Sequence, residues 1–313
     1  MKAMRVHRFG GPEVLQLDEV PIPQLVPGSL LIRVIAAGVN PLDWKLRAGA
    51  MAGVMDKPLP FIPGLDGAGI VVALAGDVRG FELEDAVCFY AQLGEYGSYA
   101  EYAVVPAQQV ARMPEGMSFM EAAALPTPAQ AAWTALVEAA ALQPGQRVLV
   151  HGAAGSLGRV AVQLARQMGA YVVAASKGLA TAQLQALGAD LVVGYQQDGL
   201  DAVVKDMDVV LDTLGGPIQD ISWSYLRPGG VLVSTVQPPA EQRALAASAR
   251  GVFVQTQPRG QVLAGLLRRH LSLPIVRTLS MQQAAEAHQL GEQGKAGGKM
   301  VLLMPARDSD LFV

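Results

Sequence analysis

Residues 147–177 constrain the fold more than any other stretch, and they read RVLVHGAAGSLGRVAVQLARQMGAYVVAASK. The apolar run Val148-Leu149-Val150 enters a turn carrying Gly152 and Gly155. A helical pattern follows, with Val160, Leu164 and Met168 recurring at spacings of four. Gly169 ends it, and a second apolar run, Tyr171-Val172-Val173, begins at once. Strand, glycine turn, helix and strand make one βαβ unit. Such a unit seats a dinucleotide because a pyrophosphate can lie on the free N–H groups at the helix N-terminus. Glycines let the backbone approach it and let helix and strand pack closely. In the G-x-G-x-x-G frame the residues are Ala153-Ala154-Gly155-Ser156-Leu157-Gly158, with Gly152 one position earlier. Gly152, Ala154, Gly155, Ser156, Leu157 and Gly158 are therefore the expected pyrophosphate contacts. The same residues, read blandly, are a βα turn with no ligand.

The end of the second strand reports on the cofactor. An NAD site carries Asp or Glu about 20 residues past the glycines, where it binds the ribose 2′-OH. Here the strand ends Ala174-Ala175-Ser176-Lys177, with no acid before Asp190. A carboxylate would repel a 2′-phosphate, whereas the hydroxyl of Ser176 and the ammonium of Lys177 would hold it. The pattern predicts NADPH. Taken alone, Lys177 also reads as a solvated surface lysine.

Charged residues are only 16% of the 313 and hydrophobic ones 51%, so the chain has a core to bury and is not disordered. Its net charge of −3, without a basic block, favours neither nucleic acid nor an anionic membrane. No apolar run approaches the roughly 18 residues of a membrane span, and the first 30 residues lack the apolar stretch of a signal peptide. One cysteine, Cys88, excludes an internal disulfide framework and fits a reducing compartment; the expectation is a cytoplasmic protein. Cys88 itself reads as a buried apolar filler.

Residues 1–120 read mostly as short strands, at 4–7, 15–19, 30–37, 70–74, 86–89 and 99–105, separated by Gly- and Pro-rich turns. That spacing suggests a barrel or sandwich. Alanine-rich helical patterns follow at 120–125 and 129–141. After the βαβ unit come a helix at 180–187, a strand at 191–193, a short helix at 198–205 and a strand at 209–211. A helix at 217–225 and strands at 231–235 and 252–254 continue the alternation, which means a parallel, doubly wound sheet. The end reads helix 261–271, strand 275–279, helix 281–291 and strand 299–304.

The order of these elements and several motifs resemble the medium-chain dehydrogenase/reductase superfamily, in its zinc-independent quinone-oxidoreductase branch. The resemblance covers essentially the whole chain. It rests on Asn40-Pro41-Leu42-Asp43-Trp44-Lys45-Leu46-Arg47-Ala48-Gly49, PFIPGLDGAG at 60–69 and the VLVHGAAGSLG turn. Asp212-Thr213-Leu214-Gly215-Gly216, Leu226-Arg227-Pro228-Gly229-Gly230 and Ala296-Gly297-Gly298-Lys299 complete it. It implies an α/β fold in which a Rossmann doubly wound parallel sheet, 124–264, interrupts a GroES-like β-barrel domain built from both chain ends, 1–123 and 265–313.

What the resemblance implies for chemistry is an NADPH-dependent reductase that transfers a hydride to a quinone or an α,β-unsaturated carbonyl in an interdomain cleft. Zinc relatives carry cysteine where this chain has Asn40, and Gly-His-Glu where it has Gly64-Leu65-Asp66, so no metal is expected. His7, His151, His270 and His288 are scattered along the sequence and read as structural or surface residues. Asn40, Asp43 and Lys45 are the implied catalytic residues: Asn40 orients a carbonyl or the nicotinamide ribose, and Lys45 stabilises an enolate or relays a proton. The plain alternative pairs Asp43 with Lys45 at the surface. Tyr90, Tyr96 and Tyr99 are alternative donors. Tyr195 aligns with a tyrosine near the 2′-phosphate, Leu214, Gly215, Thr235 and Val236 with ribose and nicotinamide contacts, and Lys299 joins the cofactor set. The threonine usual near the nicotinamide ribose is Ala131 here, a departure. With no obvious acid, a second reading is an NADPH-binding sensor or scaffold with little turnover. The resemblance also implies a homodimer through the strand at 252–254.

Overall fold

The computed structural model describes residues 1–50, 53, 59–92, 97–178, 180–195 and 203–305. Two units form: Met1–Thr127 together with Gln257–Val313, and Pro128–Thr256. In chain order the first unit begins with β1 (Lys2–Val6), β2 (Leu15–Glu19), β3 (Ser29–Val39), α1 (Pro41–Arg47) and β4 (Asp66–Leu74). It continues with β5 (Ala86–Tyr90), β6 (Tyr102–Pro106), β7 (Val110–Arg112) and α2 (Phe119–Ala124). Ser118 accepts the Glu121 N–H and Glu121 bonds back to Ser118, a capping box that fixes where α2 starts. Tyr96 and the expected helix at 198–205, as far as residue 202, lie outside the described residues.

Helix α3 (Pro126–Trp133) spans the division after Thr127 and runs into a π-helical turn at Thr134–Ala139. The second unit then alternates: β8 (Arg147–His151), α4 (Ser156–Gln167), β9 (Tyr171–Ser176), α5 (Thr181–Ala186), β10 (Leu191–Gly194), β11 (Met207–Asp212), α6 (Gly216–Ser222), β12 (Leu226–Ser234), α7 (Glu241–Ala246) and β13 (Arg250–Phe253). Its six strands pair in the order β10-β9-β8-β11-β12-β13, all parallel. Val148, Leu149 and Val150 are all buried because helices cover both faces of a parallel sheet, which is why its strands read as unbroken apolar runs. Val160 and Leu164 of α4 are buried too. Gly169, at φ +80°, donates to the Arg166 carbonyl while Ala170 donates to that of Ala165, a Schellman stop.

The chain then returns through α8 (Gly260–Leu267), β14 (Ile275–Ser280), α9 (Ala284–Glu292) and β15 (Lys299–Leu303). Strand β15 lies antiparallel to β3, with Met300 opposite Val39, so residues far apart in sequence share one sheet. That sheet runs β14-β15-β3-β4-β5-β7, with β6 also on β3. A GroES-like domain made from both chain ends and a parallel α/β sheet are thus the observed architecture. The boundaries at 123/124 and 264/265 each fall inside a helix, α2 and α8. Helix α2 packs on β3 and β4 and α8 packs on β7, so both helices stay whole within the first unit. Among the described residues no helix is long and apolar enough to cross a membrane.

Candidate functional site

The glycine turn leaves β8 through Gly152, whose φ of +66° lies in the left-handed region. Gly155 N–H donates to the Gly152 carbonyl at 2.9 Å and closes the turn. A Cβ on Gly158 would come within 2.3 Å of that same carbonyl oxygen, so only glycine lets α4 pack this close. Gly155 precedes α4 and offers no side chain to cap it. The N–H groups of Ser156, Leu157 and Gly158 in the first turn are left to water or an anion, at the positive end of the helix dipole. This cradle fits a pyrophosphate.

Tyr195 follows β10 and is tied into the turn. Its hydroxyl accepts the Gly152 N–H at 2.6 Å and donates to the Ala175 carbonyl at 2.9 Å, linking the turn to the end of β9. Burial pushes the phenol up to about 12. The ring stacks on buried His151, centroids 5.7 Å apart. Ser222 Oγ donates to the Ile218 carbonyl, so His151 Nε2, 2.9 Å from that oxygen, is the protonated nitrogen. Burial holds the imidazole down to about 4, against the pull of Asp212, so it is neutral. Sequence reasoning placed Tyr195 near the 2′-phosphate; here its hydroxyl is spent on backbone.

The end of β9 carries no acid. Asp190 precedes β10 and reaches the opposite end of β9, accepting the Val172 N–H at 2.8 Å and pairing with Arg166. Ser176 is buried and its hydroxyl donates to the Gly178 carbonyl, while Lys177 is exposed. The ammonium is the exposed charge at this strand end, chemically able to meet an anion.

Asp212 closes β11, wholly buried, and organises the next two loops. Its Oδ1 accepts the N–H groups of Leu214 (2.9 Å) and Gly215 (2.8 Å); its Oδ2 accepts Gln219 Nε2 (2.9 Å) and Ser234 Oγ (2.8 Å). Thr235 N–H donates to the Asp212 carbonyl. The loops so held leave Leu214 44% and Val236 37% exposed, two apolar side chains at the strand ends. The glycine turn, Ser176, Lys177, Tyr195, Leu214, Gly215, Thr235 and Val236 all gather at the C-terminal ends of β8 to β12, where open parallel sheets bind ligands.

Asn40, Asp43, Lys45 and Lys299 lie in the first unit. Asn40 precedes α1 and is 3% exposed. Its Nδ2 donates to Asp66 Oδ2 at 2.9 Å, and its Oδ1 accepts Lys299 Nζ at 2.7 Å. Lys299, wholly buried, is therefore committed to Asn40 and Asp66. Asp66 Oδ1 accepts both N–H and Oγ–H of Thr127. Burial raises Asp66 against the attraction of Lys299, and burial lowers Lys299 against that of Asp66. Asp43 does not pair with Lys45 at the surface. It is wholly buried, accepting the N–H groups of Asn40 (2.8 Å) and Leu65 (3.1 Å), and two residues on, Lys45 points to solvent on another face of α1.

Burial pushes Asp43 up to about 7, opposed by the Asn40 N–H. Tyr99 donates to Asp43 at 3.4 Å and lies 3.2 Å from His288 Nε2, wholly buried, so it faces no substrate; burial and the nearby Asp43 raise its phenol. Tyr90 is buried and raised by burial as well. His288 is held down to about 3 by burial and then by Arg47. His7 pairs with Asp18, and His270 is exposed. Among the described residues no three His, Cys, Asp or Glu side chains gather as a metal site. Sequence reasoning missed Asp66, Thr127 and Asp212 as organisers; the legible signal is an acid set inside or at the end of an apolar strand.

Residues 26–115 match the alcohol dehydrogenase GroES-like domain, and residues 187–302 match a family described as zinc-binding dehydrogenase. The 2-methylene-furan-3-one reductase of Solanum lycopersicum is 33% identical over 322 residues, covering 96% of this chain and 79% of the relative. The solved quinone oxidoreductase of Coxiella burnetii superposes with a TM-score of 0.89 at 32% identity, covering 98% of this chain and 99% of that one. A mycobacterial structure complexed with NADPH superposes with a TM-score of 0.84 at 27% identity, over 97% and 99%.

Proposed function

The chain belongs to the medium-chain dehydrogenase/reductase superfamily of oxidoreductases, in its quinone-oxidoreductase-like branch, and from that premise we propose that it is an NADPH-dependent, zinc-independent reductase of quinones or α,β-unsaturated carbonyls. The observation that carries the cofactor reading is the end of β9, where an exposed Lys177 stands in place of the acid an NAD site uses. The α4 amides of Ser156, Leu157 and Gly158, with the turn of Gly152, Ala154 and Gly155, would hold the pyrophosphate. Lys177, with Ser176 beside it, would hold the 2′-phosphate; Leu214, Gly215, Thr235 and Val236 would line the ribose and nicotinamide. When bound, the nicotinamide supplies the hydride.

Asn40 orients the carbonyl to be reduced, and Lys299 and Asp66 fix the direction of its amide. Asp43 acts through Asn40, whose backbone it holds, rather than on substrate. Exposed Lys45 passes on a proton from water. Zinc independence rests on the donor set, Asn40 and Leu65 standing where zinc relatives carry cysteine and histidine. The protein is a cytoplasmic homodimer in this reading, with its single cysteine, Cys88, buried and free.

The test is a titration of Lys177→Ala with NADPH and NADH. A charge-assisted contact contributes roughly 1.5–3 kcal/mol, and exposure pulls the effect to the lower end. The expected result is about a tenfold weaker NADPH complex with NADH unchanged. Equal losses for both, or none, would contradict the placement.

A further inference from the structure

Arg159 sits in the first turn of α4, where the helix dipole disfavours a cation unless an anion lies nearby. Its guanidinium is anchored on two sides. Nε donates to the Ala154 carbonyl of the glycine turn at 2.9 Å, and Nη2 donates to Gln183 Oε1 at 2.9 Å. Gln183 belongs to α5, the helix after the β9 end that carries Ser176 and Lys177. The planar fork is thus held between the pyrophosphate turn and the segment that follows β9, half-buried, with Nη1 free of any partner among the described residues. A guanidinium with one edge fixed by the protein and another open is a preorganised receptor for phosphate oxygens.

We propose that Arg159 is a second cation for the adenosine 2′-phosphate, working beside Lys177 so that the site selects NADPH. The assignment rests on the NADPH reading above. Gln183 then serves as a positioning residue, because its side-chain oxygen accepts from Nη2 and holds the fork. No glycine fingerprint predicts this residue, since position 159 lies just past the last glycine of the frame.

The experiment titrates wild type, Arg159→Gln, Arg159→Lys and Gln183→Ala with NADPH and NADH, and competes each with 2′,5′-ADP and 5′-ADP. Arg159→Gln is expected to weaken NADPH and 2′,5′-ADP about tenfold and to leave NADH and 5′-ADP within about twofold. Arg159→Lys keeps the charge without the fork and recovers part of the loss, and Gln183→Ala gives a smaller loss confined to the phosphorylated ligands. Wild type that prefers NADPH, with Arg159→Gln weakening all four ligands alike or none, overturns the role of Arg159 while the NADPH reading stands. Wild type that binds NADPH and NADH equally overturns both. Should Arg159→Gln not fold, the Arg159→Lys and Gln183→Ala titrations decide by the same comparison.

Discussion

Asp43 and Tyr195 are polar residues whose chemistry is set by what surrounds them. Burial raises the Asp43 carboxyl from 3.8 to about 7, so the folded state favours its protonated form. A raised carboxyl stabilises the fold fully below its unfolded value and loses that contribution as pH climbs through the folded one. Asp66, raised by burial in the same direction, adds to the trend. The stability of the wild type is therefore expected to fall by on the order of a few kcal/mol between pH 4 and 8 through these groups. Asp43→Asn, which cannot ionise, should give a shallower decline in denaturant melts across that range; equal slopes would mean Asp43 titrates normally. Tyr195→Phe removes a hydroxyl that serves the glycine turn rather than a phosphate. One such bond is worth about 0.5–1.5 kcal/mol, so NADPH and NADH should both weaken, by about twofold to tenfold. A loss for NADPH alone would make the hydroxyl a phosphate ligand. Neither environment is legible from the residue type. Lys299 meets Asn40 across a sequence separation of 259, and no local pattern encodes that meeting.

At the scale of elements, the glycine turn makes an asymmetric prediction. Alanine at 158 drives its Cβ to 2.3 Å from the Gly152 carbonyl oxygen, whereas alanine at 155 meets that oxygen at 3.2 Å. Gly158→Ala should cost about 1–3 kcal/mol in thermal unfolding without nucleotide, Gly155→Ala under about 1 kcal/mol. Equal costs would mean the turn relaxes away. The sequence showed this unit well because buried parallel strands are continuous apolar runs and α4 is amphipathic. It showed other elements poorly, for physical reasons. Strand β7 is three residues long, too short for any period. Helix α1 lies in the motif at 40–49 and α7 lies between two strands, and at seven and six residues each is too short to show a sustained helical period. Strand β12 begins at Leu226, ahead of Pro228-Gly229-Gly230, because the ladder to β11 shifts register there and absorbs the turn-forming residues. The capped start of α2 was within reach, since Ser118 and Glu121 form a capping box in sequence as in space.

For the whole molecule, β13 stands at the end of its sheet with Phe253 exposed, an edge that another copy would cover. Light scattering is expected to give a dimer mass at micromolar concentration, and Phe253→Lys should shift it toward monomer; a monomeric wild type would contradict the pairing. The return of the chain to its first sheet through β15 is the feature that local periodicity could not reveal, because alternation says nothing about which sheet a late strand joins. The central claim, a metal-free NADPH reductase, is tested most directly by turnover. Protein treated with chelator and shown by elemental analysis to lack zinc is mixed with NADPH and a panel of quinones and enones, and NADPH oxidation is followed. The account predicts turnover on at least one of the two substrate classes, undiminished by the chelator. Tight NADPH binding with no oxidation across the panel, or activity that returns only with added zinc, would contradict it.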